Sequence, residues 1–473
     1  MKKRLTALMA AAALMLTACS SSGGSSAPIV AAGSAAGADT AGSSAWSAYT
    51  TDKSEADGTG SQVNSAGYAD FAGDTDAFEP AVEAAVDAGS GSGYAYFAEG
   101  SGSGTQAYHP VESFQPGPQA GVLTAGRLKD NEDWTSFSEA LKREDWQVYQ
   151  RAWNLSPKDR LEVYVTAGAE PLAGCSVTAL GSQGETLWRS VTDVSGKAYI
   201  FPAMFGSGSE VTEVTARCDG RTESVPVSAG KSSVQINFGA MQGDLSQDAL
   251  DLMLVMDTTG SMSDELDYLS AELVSVVDRV LQQNPGLDVR TSVNFYRDTG
   301  DEYVTRNFPF TDDAAESQRQ LQAQYADGGG DYEEALDQAL FEGVNDHDWR
   351  SPVRILFLVM DAPPHNRGEN YELKSALAQA AAEGIRIVPV ASSGVDEESE
   401  YLMRTLAAGT GGQYLFLTDD SEVGNDHKDP TAEQYETGHL NDLMVRVIQD
   451  YLAAGSRTEM PVVSVDIQSA QQQ

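Results

Sequence analysis

The residues best suited to hold a ligand follow an apolar run that begins at residue 251. The sequence DLMLVMDTTGSMSDE places Asp257, Thr259 and Ser261 at every second position as the run ends. One carboxylate and two hydroxyls are hard oxygen donors of the kind that bind Mg2+. The spacing therefore predicts a divalent metal site on a loop that leaves a buried strand.

That strand is the first of five apolar runs that predict a doubly wound, Rossmann-like α/β domain over residues 245–456. The runs are continuous rather than alternating, as strands buried on both faces of a parallel sheet require. They read LDLMLVMD, VRTSVNFY, VRILFLVMD, IRIVPVAS and QYLFLTD. Helices are predicted between them, the first over residues 265–282. Ligands of such sheets bind at the carboxyl ends of the strands, where Asp257 lies.

Two later motifs complete a resemblance to the von Willebrand factor type A domain. Residues 328–334 read GGGDYEE, and the strand after them ends in Asp361. The resemblance implies a metal-ion-dependent adhesion site for Mg2+ or Mn2+. In it Thr259 and Ser261 would ligate the ion, and Asp257 and Asp361 would act directly or through water. Domains of this family often have a threonine at the position of Glu334. Integrin β-subunit domains have a glutamate there, as this chain does.

A metal held mainly by hydroxyls and water keeps its positive charge and can take one more oxygen from a partner. The expected partner is therefore a protein that offers an Asp or Glu carboxylate. Glu334 adds negative charge to the site and weakens that attraction unless something offsets it. A domain that binds no metal is the alternative.

The resemblance also implies flanking cations. Asp264 and Glu265 match the acidic pair that holds an adjacent Ca2+ in integrin β-domains, and Asp331 lies where those domains hold a second flanking cation. The alternative for Asp264 and Glu265 is that they only favour the N-terminal end of the following helix through its dipole.

Residues 161–240 predict a small antiparallel all-β sandwich, because short alternating segments recur between Gly, Pro, Asp and Ser turns. The motifs EPLAG at 170–174 and TDxxGKA at 192–198 resemble carboxypeptidase-regulatory or transthyretin-like modules, which implies a spacer. Cys175 and Cys218 are expected to form a disulfide in an exported protein, and two buried thiols are the alternative.

The N-terminal quarter predicts export and anchoring. Residues 1–18 are predicted to form a signal peptide, with Lys2, Lys3 and Arg4 before an apolar run. Residues 16–19 read LTAC, which resembles a lipobox with Cys19 as the acylated residue. An ordinary secretory signal with an unrelated cysteine is the alternative. Residues 19–125 are acidic and rich in Gly, Ser and Ala, which predicts a disordered tether.

An aromatic helical segment is expected over residues 126–160, and a C-terminal tail over 457–473. The aromatic residues of the segment recur at helical spacing, which favours packing on the next domain over a sugar-binding platform.

Charge and residue types narrow the function. A formal charge of −40 excludes nucleic acid as a partner. Ser261, His365 and Asp361 supply the residue types of a hydrolase triad, but Ser261 lacks the Gly-x-Ser-x-Gly turn, so no enzyme is predicted.

The sequence predicts a lipoprotein anchored to the membrane of the cell envelope and exposed outside the cytoplasm, which binds a protein through a metal. A scaffolding lipoprotein with a structural metal, or with none, is the main alternative.

Overall fold

The computed structural model describes residues 118–206, 208–241, 247–365 and 367–452. The predictions for the signal peptide, for Cys19, for most of the tether and for the C-terminal tail lie outside these residues. Within them the strands are β1 (Thr124–Leu128), β2 (Leu161–Ala167), β3 (Glu170–Pro171), β4 (Ser176–Leu180), β5 (Thr186–Val191), β6 (Lys197–Ile200), β7 (Glu213–Cys218), β8 (Arg221–Pro226), β9 (Ser233–Asn237), β10 (Ala249–Asp257), β11 (Asp288–Tyr296), β12 (Thr305–Asn307), β13 (Val353–Met360), β14 (Ile385–Ala391), β15 (Tyr414–Leu417) and β16 (Glu436–His439). The helices are α1 (Trp134–Ala140), α2 (Glu144–Trp153), α3 (Leu266–Gln283), α4 (Ala314–Gln322), α5 (Leu336–Asn345), α6 (Tyr371–Glu383), α7 (Glu397–Thr410) and α8 (Leu440–Tyr451).

The main sheet has eight strands in the order β12-β11-β10-β13-β14-β15-β1-β16. The five predicted strands are present as β10, β11, β13, β14 and β15, and they run parallel to one another. Strands β12, β1 and β16 are antiparallel to their neighbours. The prediction of an α/β domain is confirmed, with a sheet that is mixed rather than purely parallel.

The sheet separates two apolar clusters, which explains why its strands read as continuous apolar runs. On one face Leu254 and Phe357 belong to the same cluster as Leu273 of α3. On the other face Val255 and Leu358 cluster with side chains of α5, α6 and α7. Because successive side chains of a strand point to opposite faces, both kinds of position must be apolar here.

Strand β1 comes from a segment that the sequence does not connect with this sheet. It lies between β15 and β16, with Ala125 opposite both Leu417 and Gly438. The predicted limit between tether and entry segment, at residues 125 and 126, falls inside this strand. The α/β domain therefore includes a strand that precedes residue 245 by more than a hundred residues.

Two contacts hold the start of this segment. Gly126 leaves room for the ring of Phe416, since a Cβ atom at Gly126 would lie 2.0 Å from that ring. The buried carboxylate of Glu272, on α3, accepts hydrogen bonds from the backbone N–H groups of residues 121–123. These long-range contacts make the segment part of the α/β core.

Residues 161–238 form two sheets of four strands. One has the order β3-β2-β6 with β9 also paired to β2, and the other has the order β5-β4-β7-β8. Strand β9 is parallel to β2, whereas the other pairs are antiparallel as predicted. Buried residues of both sheets, such as Val163 and Val177, belong to the apolar cluster that continues under α6 and α7.

Cys175 and Cys218 form the predicted disulfide. Cys175 directly precedes β4 and Cys218 ends β7, which are neighbouring antiparallel strands, and the two Cα atoms are 4.7 Å apart. The bond closes a loop of 43 residues. Loop closure of that length stabilises the folded state by about 4 kcal/mol in the chain-entropy treatment.

The aromatic entry segment folds as two short helices, α1 and α2, rather than as one. Phe137, Trp146 and Trp153 are fully buried. The Trp146 ring meets Tyr401 of α7 edge-on, with ring centroids 5.4 Å apart. These three buried side chains belong to the apolar cluster of the next domain, as the aromatic spacing predicted. None of the described helices is both long and apolar enough to cross a lipid bilayer.

Candidate metal centre

The loop after β10 brings the first three predicted ligands together. Asp257 ends the strand and is fully buried. The backbone N–H and the hydroxyl of Thr259 both donate to Oδ1 of Asp257, at 2.8 and 2.7 Å. The Ser261 hydroxyl lies 3.2 Å from that of Thr259, and Ser261 is the second residue of a short 3-10 helix, Gly260–Asp264. Because Ser261 is exposed, the group runs from a buried floor to the surface.

Asp361 and Glu334 join this group from two other segments. Asp361 follows β13, the neighbour of β10 in the sheet, and hydrogen-bonds to the side chain of Ser261. The backbone N–H of Glu334 donates to the carbonyl of Pro363 at 3.0 Å, so the loop before α5 is fastened beside Asp361. The structure therefore places all five predicted ligands at one edge of the sheet.

The glycine loop that precedes Glu334 passes very close to the first ligands. Gly329 has φ +74°, and a Cβ atom there would lie 3.0 Å from Oε1 of Glu334 and 3.5 Å from Cβ of Thr259. The carbonyl of Gly328 accepts a hydrogen bond from the N–H of Gly260 at 3.2 Å. Glycine is needed at position 329 both for the positive φ and for this close approach.

Three buried carboxylates at this edge each have an oxygen without a hydrogen-bond partner. The atoms are Oδ2 of Asp257, Oε2 of Glu334 and Oδ1 of Asp361. Burial, together with the nearby Asp361 charge, raises the pKa of Asp257 to about 8. Burial, then the charges of Asp257 and Asp298, raises the pKa of Glu334 to about 9. Burial raises the pKa of Asp361 to about 6, although the hydrogen bond from Ser261 lowers this pKa.

Such a group is costly to bury without a compensating charge. A divalent cation supplies that charge and would use the unpaired oxygens. The contacts run in series from Asp257 through Thr259 and Ser261 to Asp361, so two hydroxyls lie between two carboxylates. This donor set suits Mg2+ or Mn2+, which prefer oxygen ligands.

The predicted adjacent pair is already engaged by protein groups. Oε1 of Glu265 lies 2.8 Å from Nε2 of His427 and accepts from the N–H of Ser393 at 3.2 Å. Oδ2 of Asp264 accepts from the N–H and the side-chain amide of Asn425, at 2.8 and 2.6 Å. Both carboxylates thus hold neighbouring loops, chiefly the one that follows β15.

Asp331, which the resemblance placed at a second flanking cation, belongs to a group whose other members sequence reasoning did not connect with it. Its carboxylate comes together with Asp298 and His365, and their ligand atoms all lie within 4.8 Å of one another. Asp298 lies two residues after the end of β11. Similarly, Asp257 ends β10 and Asp361 directly follows β13. That shared position, at the carboxyl end of a parallel strand, is the signal that could have identified it.

Arg297 is a second residue that the sequence did not single out. Its buried guanidinium lies over the rings of Tyr303 and Tyr325, at 4.6 and 4.9 Å from their centroids. Its Nε donates to the carbonyl of Thr258 at 3.1 Å. Arg297 therefore positions the loops on either side of the candidate metal site.

The fold and this edge together define an α/β domain with a group of oxygen donors at the carboxyl ends of its strands. Residues 251–419 match the family model described as von Willebrand factor A domain. The chain thus contains a von Willebrand factor A domain, as the sequence predicted, and β1, β16 and α8 lie outside the matched residues. None of the curated proteins compared with the chain matches it.

Solved structures of low similarity include two from Bacteroides. The conserved hypothetical protein BatB from Bacteroides thetaiotaomicron is 12% identical, with 43% of this chain and 98% of that chain covered and a TM-score of 0.29. An aerotolerance-related membrane protein from Bacteroides fragilis NCTC 9343, with multiple mutations to serines, is 12% identical with the same coverage and a TM-score of 0.26. At these TM-scores neither structure bears on the function of this chain.

Proposed function

We propose that this protein binds an acidic side chain of a protein partner through a divalent metal held in its von Willebrand factor A domain. Thr259 and Ser261 would ligate Mg2+ or Mn2+, and Asp257, Glu334 and Asp361 would balance its charge directly or through water. The ion would supply Lewis acidity toward a partner carboxylate. The observation that carries the proposal is the set of three buried carboxylates, each with an oxygen that lacks a partner.

The position of Ser261 favours a binding role over a purely structural metal. Asp257, Thr259 and Asp361 are buried, whereas Ser261, which belongs to the same contact series, is exposed. An ion held there would lie near the surface and remain open to a ligand from outside. A scaffolding role with a structural metal is the second candidate, and it predicts partner binding that survives chelation of a folded protein.

A hydrolase is the least supported candidate. Nε2 of His365 lies 2.8 Å from Oδ1 of Asp298, while the Ser261 hydroxyl is engaged with Thr259 and Asp361. A serine activated as a nucleophile needs a base on its hydroxyl. Turnover that is lost on Ser261→Ala or His365→Ala would favour this candidate over the binding role.

Magnesium titration into the full-length protein, followed by calorimetry, tests the metal site. Wild-type protein is expected to bind Mg2+ at millimolar concentration or below, and Asp257→Ala is expected to lose binding while keeping its circular dichroism spectrum. Asp278→Asn is the matched control, because it removes an exposed carboxylate about 18 Å along α3 from the start of the helix. A wild-type protein that binds no divalent ion, or an Asp257→Ala variant that binds as well as wild type, rejects the site.

Partner binding is tested by capture from envelope extract with Mg2+ and with chelator. A protein retained by the wild type should be released by chelation and should not be retained by Asp257→Ala. Retention that persists under chelation of a folded protein supports the scaffolding role instead.

The lipid anchor, the location in the envelope and the spacer role of residues 161–240 are part of the same proposal. Acylation of Cys19 would tether the domain to a membrane surface, and the acidic residues 19–117 would extend it away from that surface. Cys19→Ala should abolish labelling by a radioactive fatty acid and leave unprocessed precursor. Labelling that persists in this variant ends the anchor proposal.

A further inference from the structure

Asp298, Asp331 and His365 form a cluster beside the proposed Mg2+ site. They come from the loop after β11, the loop before α5 and the loop after β13. Their ligand atoms all lie within 4.8 Å of one another, and Nε2 of His365 is 2.8 Å from Oδ1 of Asp298. Asp298 is buried, His365 is half-buried and Asp331 is exposed, so the cluster opens to solvent on one side.

Backbone contacts hold the cluster in place. Oδ2 of Asp301 accepts from the N–H of Asp298 at 3.0 Å and from the N–H of Gly329 at 2.8 Å, which ties two of the three loops together. The carbonyl of His365 accepts from the side-chain amide of Asn370 at 3.0 Å. The three ligand groups are therefore positioned by contacts that do not depend on a bound ion.

The donor set differs from that of the proposed Mg2+ site because it includes an imidazole. Imidazole nitrogen suits Zn2+ and other divalent transition metals, whereas Mg2+ and Ca2+ prefer oxygen alone. Two donors 2.8 Å apart fit neighbouring positions around an ion whose bonds are about 2.1 Å long. Three protein ligands would leave further positions for water or for a ligand.

We propose that Asp298, Asp331 and His365 bind a divalent transition metal, with Zn2+ as the representative ion, at a site separate from the Mg2+ site. The site would join the loops that follow β11 and β13 to the loop that carries Glu334.

The test uses full-length protein without an affinity tag, freed of metal and titrated with Zn2+ in the presence of excess Mg2+. Co2+ serves as a spectroscopic probe, because its visible absorption reports coordination by nitrogen. Wild-type protein is expected to bind one equivalent of Zn2+, and His365→Ala is expected to bind it at least about tenfold more weakly. His439→Ala is the control, since it removes an exposed imidazole at the start of α8.

Asp331→Asn keeps the test decisive if His365→Ala folds poorly, because Asp331 is exposed and its loss should leave the fold intact. It should also weaken Zn2+ binding at least about tenfold. Equal Zn2+ binding by wild type and Asp331→Asn, or no stoichiometric binding by wild type, overturns the proposal.

Asp257→Ala separates the two proposed sites. Zn2+ binding that survives in this variant supports a distinct site, whereas its loss there shows that Zn2+ only enters the Mg2+ site and overturns the proposal. If the wild-type protein does not bind Mg2+, the proposed function is rejected. If the same protein binds Zn2+ and this binding depends on His365, the second site is still supported.

Discussion

Nε2 of His427 lies 2.8 Å from Oε1 of Glu265, and both side chains are buried. The other ring nitrogen, Nδ1, lies 2.9 Å from Oδ1 of Asp419. Burial lowers the pKa of His427, whereas the hydrogen bonds to Glu265 and Asp419 and the charges of these carboxylates raise it, and the net shift is upward. The imidazole thus lies beside the carboxylate for which the resemblance implied an adjacent Ca2+.

Replacing this imidazole should destabilise the protein. His427→Ala leaves the buried carboxylate of Glu265 without its imidazole partner, which is expected to cost about 3 kcal/mol of unfolding free energy in urea denaturation. His439→Ala, at an exposed position, should cost little. A His427→Ala variant as stable as wild type would show that the pair contributes nothing.

The raised pKa values predict how stability depends on pH in the absence of metal. A carboxyl group whose folded pKa is raised binds more protons in the folded state, so stability falls as pH rises from the unfolded pKa to the folded one. For Glu334 this window runs from about pH 4.5 to about pH 9. In chelator, the thermal midpoint of wild-type protein should fall across this window, and Glu334→Gln should show a smaller fall. Parallel profiles for the two proteins would contradict the shift.

Glu334→Thr tests the charge of the metal centre. Threonine keeps an oxygen ligand and removes a negative charge, so Mg2+ should still bind and should attract a partner carboxylate more strongly. Calorimetry measures the first effect, and partner capture in Mg2+ measures the second. A variant that loses Mg2+ would show that the carboxylate of Glu334 is required.

The close approach of Gly329 to the site predicts a clear contrast between neighbouring glycines. Gly329→Ala places a Cβ atom 3.0 Å from Oε1 of Glu334 at a positive φ, which should displace the carboxylate. Mg2+ affinity is expected to fall about tenfold, with about 1 kcal/mol of added backbone strain. Gly330→Ala is the control, because a Cβ there meets nothing within 4 Å. Equal Mg2+ affinity in the two variants would contradict the geometry.

The insertion of β1 into the main sheet predicts that the stability of the α/β domain depends on residues far from 251–419, the residues that match the family model. Gly126→Ala forces a Cβ atom into the Phe416 ring and should lower the unfolding free energy by about 2 kcal/mol. Gly438→Ala, on the neighbouring strand, makes only an ordinary contact of 3.6 Å with Leu443 and should be tolerated. Urea denaturation of the full-length variants measures both. Equal stability of the two variants would show that β1 does not lie where the structure places it.

The sequence by itself determined what depends on local pattern. Runs rich in apolar residues identified the five parallel strands, because burial on both faces favours apolar side chains at successive positions. The spacing of Asp257, Thr259 and Ser261 identified one side of the candidate metal centre, because three residues on one short loop must lie close together. The disulfide followed from cysteine count and export, and it required no knowledge of the fold.

The tertiary structure alone decided what depends on contacts between distant segments. Ala125 pairs with Leu417 across most of the described chain, and a five-residue strand that contains a glycine carries no local sign of its partner. The engagement of Glu265 by His427, and the meeting of His365 with Asp298, likewise depend on loops that only the sheet brings together. Local sequence specifies which side chains can do chemistry, and long-range packing decides which of them meet, because loop conformations are set by the neighbours on which they pack.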